Sequence, residues 1–191
     1  MDKLKRTATL VASAAVAILL IVWLVGAFGI RAPLFAFLAN WVAMSWVAFS
    51  GQFIRIPLPP EYYAPHRFER GGRIYELMGI RLFKKLVRRG PLAVFSPTLR
   101  FPREKVAEAL LALASEMCKA ESGHVLILAI ILVAAAYFAL RTWFDAAAWL
   151  LLFSIPINVY PIMLQRYNRI KLQELIDGLG QPALPGEPAR G

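Results

Sequence analysis

Residues 116–140 run Glu116-Met117-Cys118-Lys119-Ala120-Glu121-Ser122-Gly123-His124 and then VLILAIILVAAAYFAL, so Val125 to Leu140 are sixteen residues without a charge. A charged, basic stretch gives way here to a hydrophobic one, as at a membrane surface. Glu116, Glu121 and His124 follow a Glu-x4-Glu-x2-His spacing. At about 100° per residue on a continuous helix, the imidazole falls between the two carboxylates within an arc of roughly 140°. Val106, Leu110, Leu113 and Met117 form an apolar stripe that points the same way as His124. An ionisable group on such a stripe costs free energy unless it has a partner, which makes it a functional candidate. A capping cluster at an interfacial helix end is the structural alternative.

Working outward, 59% of the 191 residues are hydrophobic and the net charge is +10. Ordinary soluble domains are nearer half apolar with about a quarter of their residues charged, so the composition indicates an integral membrane protein. The apolar run from Thr7 to about Phe28 exceeds the ~7 to 15 residues of a signal-peptide core and reads as a retained span. A second run from Leu34 to about Phe53 follows the break Gly29-Ile30-Arg31-Ala32-Pro33; it either crosses the bilayer or lies partly in the interface, and Trp41 and Trp46 within it suggest helix packing. Further spans are expected over 124–144 and 146–164. The fold class is therefore all-α: about four transmembrane helices, with a basic cytoplasmic interfacial segment, 54–122, between helices two and three. Residues 1–176 form one membrane domain in this reading, and 177–191 a disordered tail.

Residues 54 to 122 hold 13 Lys/Arg and 7 Asp/Glu, whereas the two short opposite loops carry one basic residue each. The positive-inside rule then places this segment and both termini in the cytoplasm. Anionic lipid or a phosphate-bearing donor is the natural partner of the excess charge; no motif for nucleic acid is present. The single cysteine, Cys118, forms no internal disulfide, and Cys/His spacings for structural zinc are missing. Proline punctuates Ile56-Pro57-Leu58-Pro59-Pro60 and the stretch from Gly90-Pro91 to Pro97, predicting extended or turn backbone, and Pro102 suits the first turn of a helix over about 103–121.

Two more constellations carry polar chemistry. Asn158, Pro161 and Gln165-Arg166-Tyr167-Asn168-Arg169, with Lys171 beyond, surround the fourth span. Asn158, Gln165 and Arg169 share a stripe on an unbroken helix, while Pro156 and Pro161 are expected to disturb it and to create a polar pocket. A basic flank of a helix leaving the membrane would account for the arginines alone. The other constellation is Phe68-Glu69-Arg70-Gly71-Gly72-Arg73-Ile74-Tyr75, followed by Gly79-Ile80-Arg81-Leu82-Phe83-Lys84. Its paired glycines permit either close approach to a phosphate or a turn, and no nucleotide fingerprint is present. His66 reads as an interfacial histidine.

In these three places the sequence resembles the glycosyl-4,4'-diaponeurosporenoate acyltransferase family: Phe68-Glu69-Arg70-x-Gly72-Arg73-x-Tyr75 with Gly79-Ile80-Arg81-x-Phe83-Lys84, then Glu116-x4-Glu121-x2-His124, then Asn158-x6-Gln165-Arg166-Tyr167-Asn168-Arg169-x2-Leu172. The resemblance covers roughly residues 60 to 176 and is most specific over Gln165 to Arg169. It implies transfer of a fatty acyl group to a sugar hydroxyl of a glycosylated carotenoid acid, the family's founding role being the last step towards a staphyloxanthin-type pigment. The longer apolar N-terminal region and the Pro-rich tail depart from the family and bear on the acceptor more than on the reaction.

Acyl transfer from a thioester to an alcohol requires a base, donors for the developing oxyanion and a dry pocket. His124 is the expected base, with an unperturbed pKa of about 6.5, close to working pH. Glu121, three residues before it, is its expected orienting partner, and Glu116 a sugar or arginine partner. Asn158, Tyr167 and Asn168 are candidate oxyanion or sugar contacts. Arg73, Lys84, Arg166 and Arg169 are candidate partners of an anionic donor, and Glu69, Tyr75 and Gln165 complete the substrate-binding set. No bound cofactor is expected; an acyl thioester such as acyl-CoA is the co-substrate, and the partners are membrane lipid, a glycosylated lipid acceptor and the acyl donor. Two other classes compete: a non-catalytic lipid-binding or assembly protein, and a membrane metalloenzyme using Glu116, Glu121 and His124 as ligands.

Overall fold

A computed structural model describes residues 2–54, 56, 58–89 and 107–178 of the chain. The turns expected around Gly90 to Pro97, the start of the helix at Pro102, Val106 and the tail from residue 179 lie outside these residues. The protein is an all-α membrane protein, with no strand among the described residues and four helical stretches long and apolar enough to cross a membrane.

Helix α1 covers Lys3–Phe28 and stops at Gly29, whose φ of 78° suits a residue without a Cβ. Helix α2, Pro33–Ser50, begins with proline at its first position. Ala32 before it is extended because the proline ring disfavours helical backbone in its predecessor. Four shorter elements follow: α3 (Pro60–Tyr63), a 3-10 turn (Arg67–Gly72), α4 (Arg73–Leu77) and α5 (Ile80–Arg89). Then come α6 (Ala107–Leu140), α7 (Phe144–Ser154), a π-helical segment (Ile155–Val159) and α8 (Tyr160–Gly178).

Two boundaries differ from the sequence reading. No break separates the helix expected to end near residue 121 from the span expected to begin at 124, since α6 runs through both. Gly123 lowers helix propensity, yet a Cβ there would meet Val47 Cγ1 at 3.0 Å, so its place is explained by close packing against α2. The fourth span likewise continues to residue 178. Pro156 and Pro161 have no N–H to give to the carbonyls four residues before them, and the helix absorbs this in the π segment without ending.

The described residues divide into two compact units, one of those within 1–56 and 123–159 and one of those within 57–122 and 160–178. In the first, the core holds Leu24, Phe35, Ala36, Ala39, Val47, Ile127, Ile131, Ala135, Phe138, Ala146, Ala147 and Leu150. Its many alanines let apolar helices approach closely, the usual means of association where lipid is the solvent. Trp46 packs on this core and Trp41 meets Phe37 edge to face, as expected for helix packing. Leu19, Val22 and Trp23 are exposed along α1, a surface suited to hydrocarbon. Arg31 Nε donates to both Asp145 oxygens at 2.9 and 2.8 Å, tying the loop before α2 to the first turn of α7.

The second unit has a smaller core of Leu110, Ala114 and Met117 from α6 with Leu172 and Ile176 from α8. Gly71 and Gly72 form a turn into α4, both at φ 70°. A Cβ on Gly72 would also lie 2.8 and 2.9 Å from the Tyr167 ring, whereas one on Gly71 would meet open space. Gly71→Ala is therefore expected to cost about 1–2 kcal/mol from backbone strain alone. Gly72→Ala is expected to cost a further ~1–3 kcal/mol of overpacking, read as the larger loss of thermal stability in detergent.

Candidate active site

Most of the expected site residues fall into two buried polar clusters, one in each unit, while Glu116 and Arg73 stay exposed. In the second unit, α8 turns Arg166 and Arg169 inward, one helical turn apart. Arg166 grips Glu69 with two parallel bonds, Nε to Oε1 and Nη2 to Oε2, both 2.8 Å. The Tyr75 hydroxyl donates to the same Oε1, and the His66 backbone N–H donates to Oε2 at 2.7 Å. Arg169 reaches Glu121 Oε2 through Nε at 3.1 Å and Nη2 at 2.9 Å, while Arg166 Nη1 reaches Glu121 Oε1 at 3.3 Å. The remaining guanidinium donors close on backbone: Arg166 Nη1 on the Tyr62 carbonyl at 2.8 Å, Arg169 Nη1 on that of Tyr63 at 2.7 Å. Each guanidinium also lies 5.2 Å from the ring of the tyrosine whose carbonyl it bonds.

Two positive and two negative charges are thus buried with nearly all their hydrogen-bonding capacity used, which makes the cluster a structural lock. Burial pushes the Glu69 carboxyl upward, but the bonds from Arg166, Tyr75 and the His66 backbone outweigh it and hold the group at about 2. Burial and the Glu69 carboxylate push the Tyr75 phenol up, and burial with Glu121 raises that of Tyr62 to about 12.

This geometry changes several expected roles. Arg166 and Arg169 are engaged with Glu69 and Glu121, so donor binding is not what occupies them. Both oxygens of Glu121 accept from these arginines, so its carboxylate does not orient His124. Glu116 stands 54% exposed, with Lys119 Nζ at 3.9 Å. The physical reason is the 140° arc itself: it is too wide for one packed face, so the helix buries Glu121 and leaves Glu116 outside. Tyr167 donates to Glu76 Oε1 at 2.9 Å, and Lys84 Nζ donates to Asn168 Oδ1 at 2.7 Å. Burial, with Arg88 adding to it, lowers the Lys84 ammonium. Gln165 is buried, Arg73 is exposed, and exposed His66 stacks on Phe68.

The second cluster belongs to the first unit. His124 Nδ1 on α6 lies 3.4 Å from Asn158 Oδ1 in the π segment. Asn158 Nδ2 donates to Asn40 Oδ1 at 3.0 Å and to Ser154 Oγ at 2.9 Å. Asn158 is fully buried with its amide committed at both ends, so it serves the imidazole in place of the expected substrate contact. The irregular backbone anticipated from Pro156 and Pro161 is what carries this asparagine.

Among the described residues no group of three His, Cys, Asp or Glu side chains could hold a metal ion. Sequence reading missed Asn40, Ser154, Tyr62, Tyr63 and Glu76. A lone asparagine inside the 18-residue apolar α2 was a readable signal for the first. The tyrosines contribute backbone carbonyls, which carry no sequence signal.

No curated protein and no solved structure gives a match to this chain. The family model described as glycosyl-4,4'-diaponeurosporenoate acyltransferase matches residues 59–178, a range that holds the arginine lock, His124 and Asn158. With well over half of its length matched, the chain belongs to this family of acyltransferases.

Proposed function

We propose that the protein transfers a fatty acyl group from an acyl thioester to a sugar hydroxyl of a glycosylated carotenoid or a related lipid in a bacterial inner membrane, with His124 as the base. The observation that carries this reading is the buried side of His124: its Nδ1 faces a carbonyl oxygen, which leaves Nε2 with the lone pair. Nε2 takes the hydroxyl proton as the sugar oxygen attacks the thioester carbonyl carbon. The carbon–sulfur bond then breaks, the imidazolium returns its proton to the departing thiolate, and an ester and a free thiol result. Direct transfer is favoured over an acyl-enzyme because neither serine near His124 is free to act as a nucleophile: Ser122 bonds the Cys118 carbonyl and Ser154 bonds Asn158. The anionic headpiece of the donor is drawn to exposed cations, Arg73 with Lys85 and Arg88 of α5. Both termini are taken as cytoplasmic from the charge asymmetry of the loops.

Expression of the full chain in a bacterium that makes a glycosylated carotenoid should convert it to a species heavier by one acyl chain in mass spectra of lipid extracts. Identical extracts with and without the protein, at confirmed membrane insertion, would reject the reaction.

A further inference from the structure

We infer that Asn40 on α2 is a positioning residue that sets the tautomer of His124 through Asn158; the link to turnover rests on His124 being the base proposed above. The argument is a chain of donors and acceptors with one consistent solution. Asn40 Nδ2 lies 2.9 Å from the Ala36 carbonyl and 3.4 Å from that of Leu150. Both of those oxygens can only accept, so the amide nitrogen of Asn40 faces them and its Oδ1 faces Asn158. An oxygen there requires a donor, which turns Asn158 Nδ2 toward Asn40, with Ser154 Oγ accepting its second proton. Asn158 Oδ1 is then left against His124 Nδ1, and a carbonyl oxygen accepts only from a protonated nitrogen. Nδ1–H and a bare Nε2 follow for the neutral ring.

Asn40 and Asn158 are fully buried and Ser154 is 1% exposed, so water offers these amides no alternative partner. Turning either amide over would set donor against donor or acceptor against acceptor in an apolar surround, and the cost of that holds the series in one sense. The first link lies on α2, outside the residues 59–178 that the family model matches. The apolar N-terminal region therefore supplies a group on which the imidazole depends, beyond any role as an anchor.

The test uses the purified full chain in detergent with isotope-labelled histidine. The chain has two histidines, and an H66Q variant assigns the His124 signals. Nitrogen NMR should find the native His124 ring protonated at Nδ1; a ring protonated at Nε2 overturns the inference without any variant being needed. Asn40→Leu should release the tautomer and lower kcat about 10-fold or more with the donor KM unchanged, as expected for partial loss of a base. Asn40→Asp, protonated in this apolar site, still offers one donor and one acceptor and should keep the Nδ1–H form. An unchanged tautomer in Asn40→Leu also overturns the inference. A changed tautomer with unchanged kcat would uphold Asn40 as the setting residue and reject His124 as the base.

Discussion

His124→Ala or His124→Gln should abolish acylated product while the protein still inserts and accumulates. A positioned base contributes about 10²–10⁴-fold, so at least that loss is expected in product measured by mass spectrometry of lipid extracts. His124 lies outside both hydrophobic cores, and its only described partner is Asn158 at 3.4 Å, so little stability goes with it. Glu116→Gln should turn over normally, because that carboxylate is exposed beside Lys119. A strong defect in Glu116→Gln, with normal turnover in His124→Gln, would reverse the assignment.

The second large effect is on folding. Glu121→Leu leaves Arg166 without one of its two carboxylates and Arg169 with no carboxylate partner in this network. Breaking a buried pair from one side costs about 3–5 kcal/mol, against a typical domain stability of about 5–15 kcal/mol. The variant should be nearly absent from the membrane fraction; accumulation and thermal stability like the native protein would show that the lock is dispensable. The neighbouring pair makes the same region acid-sensitive. Glu69 titrates at about 2 when folded against 4.5 as its ordinary value. Its contribution is present above about 4.5 and fades as the pH falls towards 2, so thermal stability of the detergent-solubilised protein should decline across that window.

The chemistry-bearing residues were legible in the sequence, but their pairings were not. Arg166 and Arg169 announced themselves as arginines after an apolar run, and a basic helix flank or a donor site both fit that pattern. Their consumption by Glu69 and Glu121 depends on residues 97 and 48 positions distant in sequence, which no local spacing encodes. Glu121 was expected to orient His124 and Glu116 to meet a sugar or an arginine, yet packing gave the arginines to Glu121 and left Glu116 outside. Pro156 and Pro161 did announce an irregular fourth span, because a missing N–H is a local covalent fact.

Hydrophobic runs, loop charges and proline positions were enough to establish an all-helical, four-span membrane protein with a basic segment before the third span, since each acts within about one helix length. Family membership rode on short motifs for the same reason. Which carboxylate neutralises which guanidinium, and that an asparagine on α2 faces the one beside His124, was decided only when distant segments packed. Burial there removes water as a partner, and the polar groups must then be satisfied by whatever side chains the fold brings within about 3 Å.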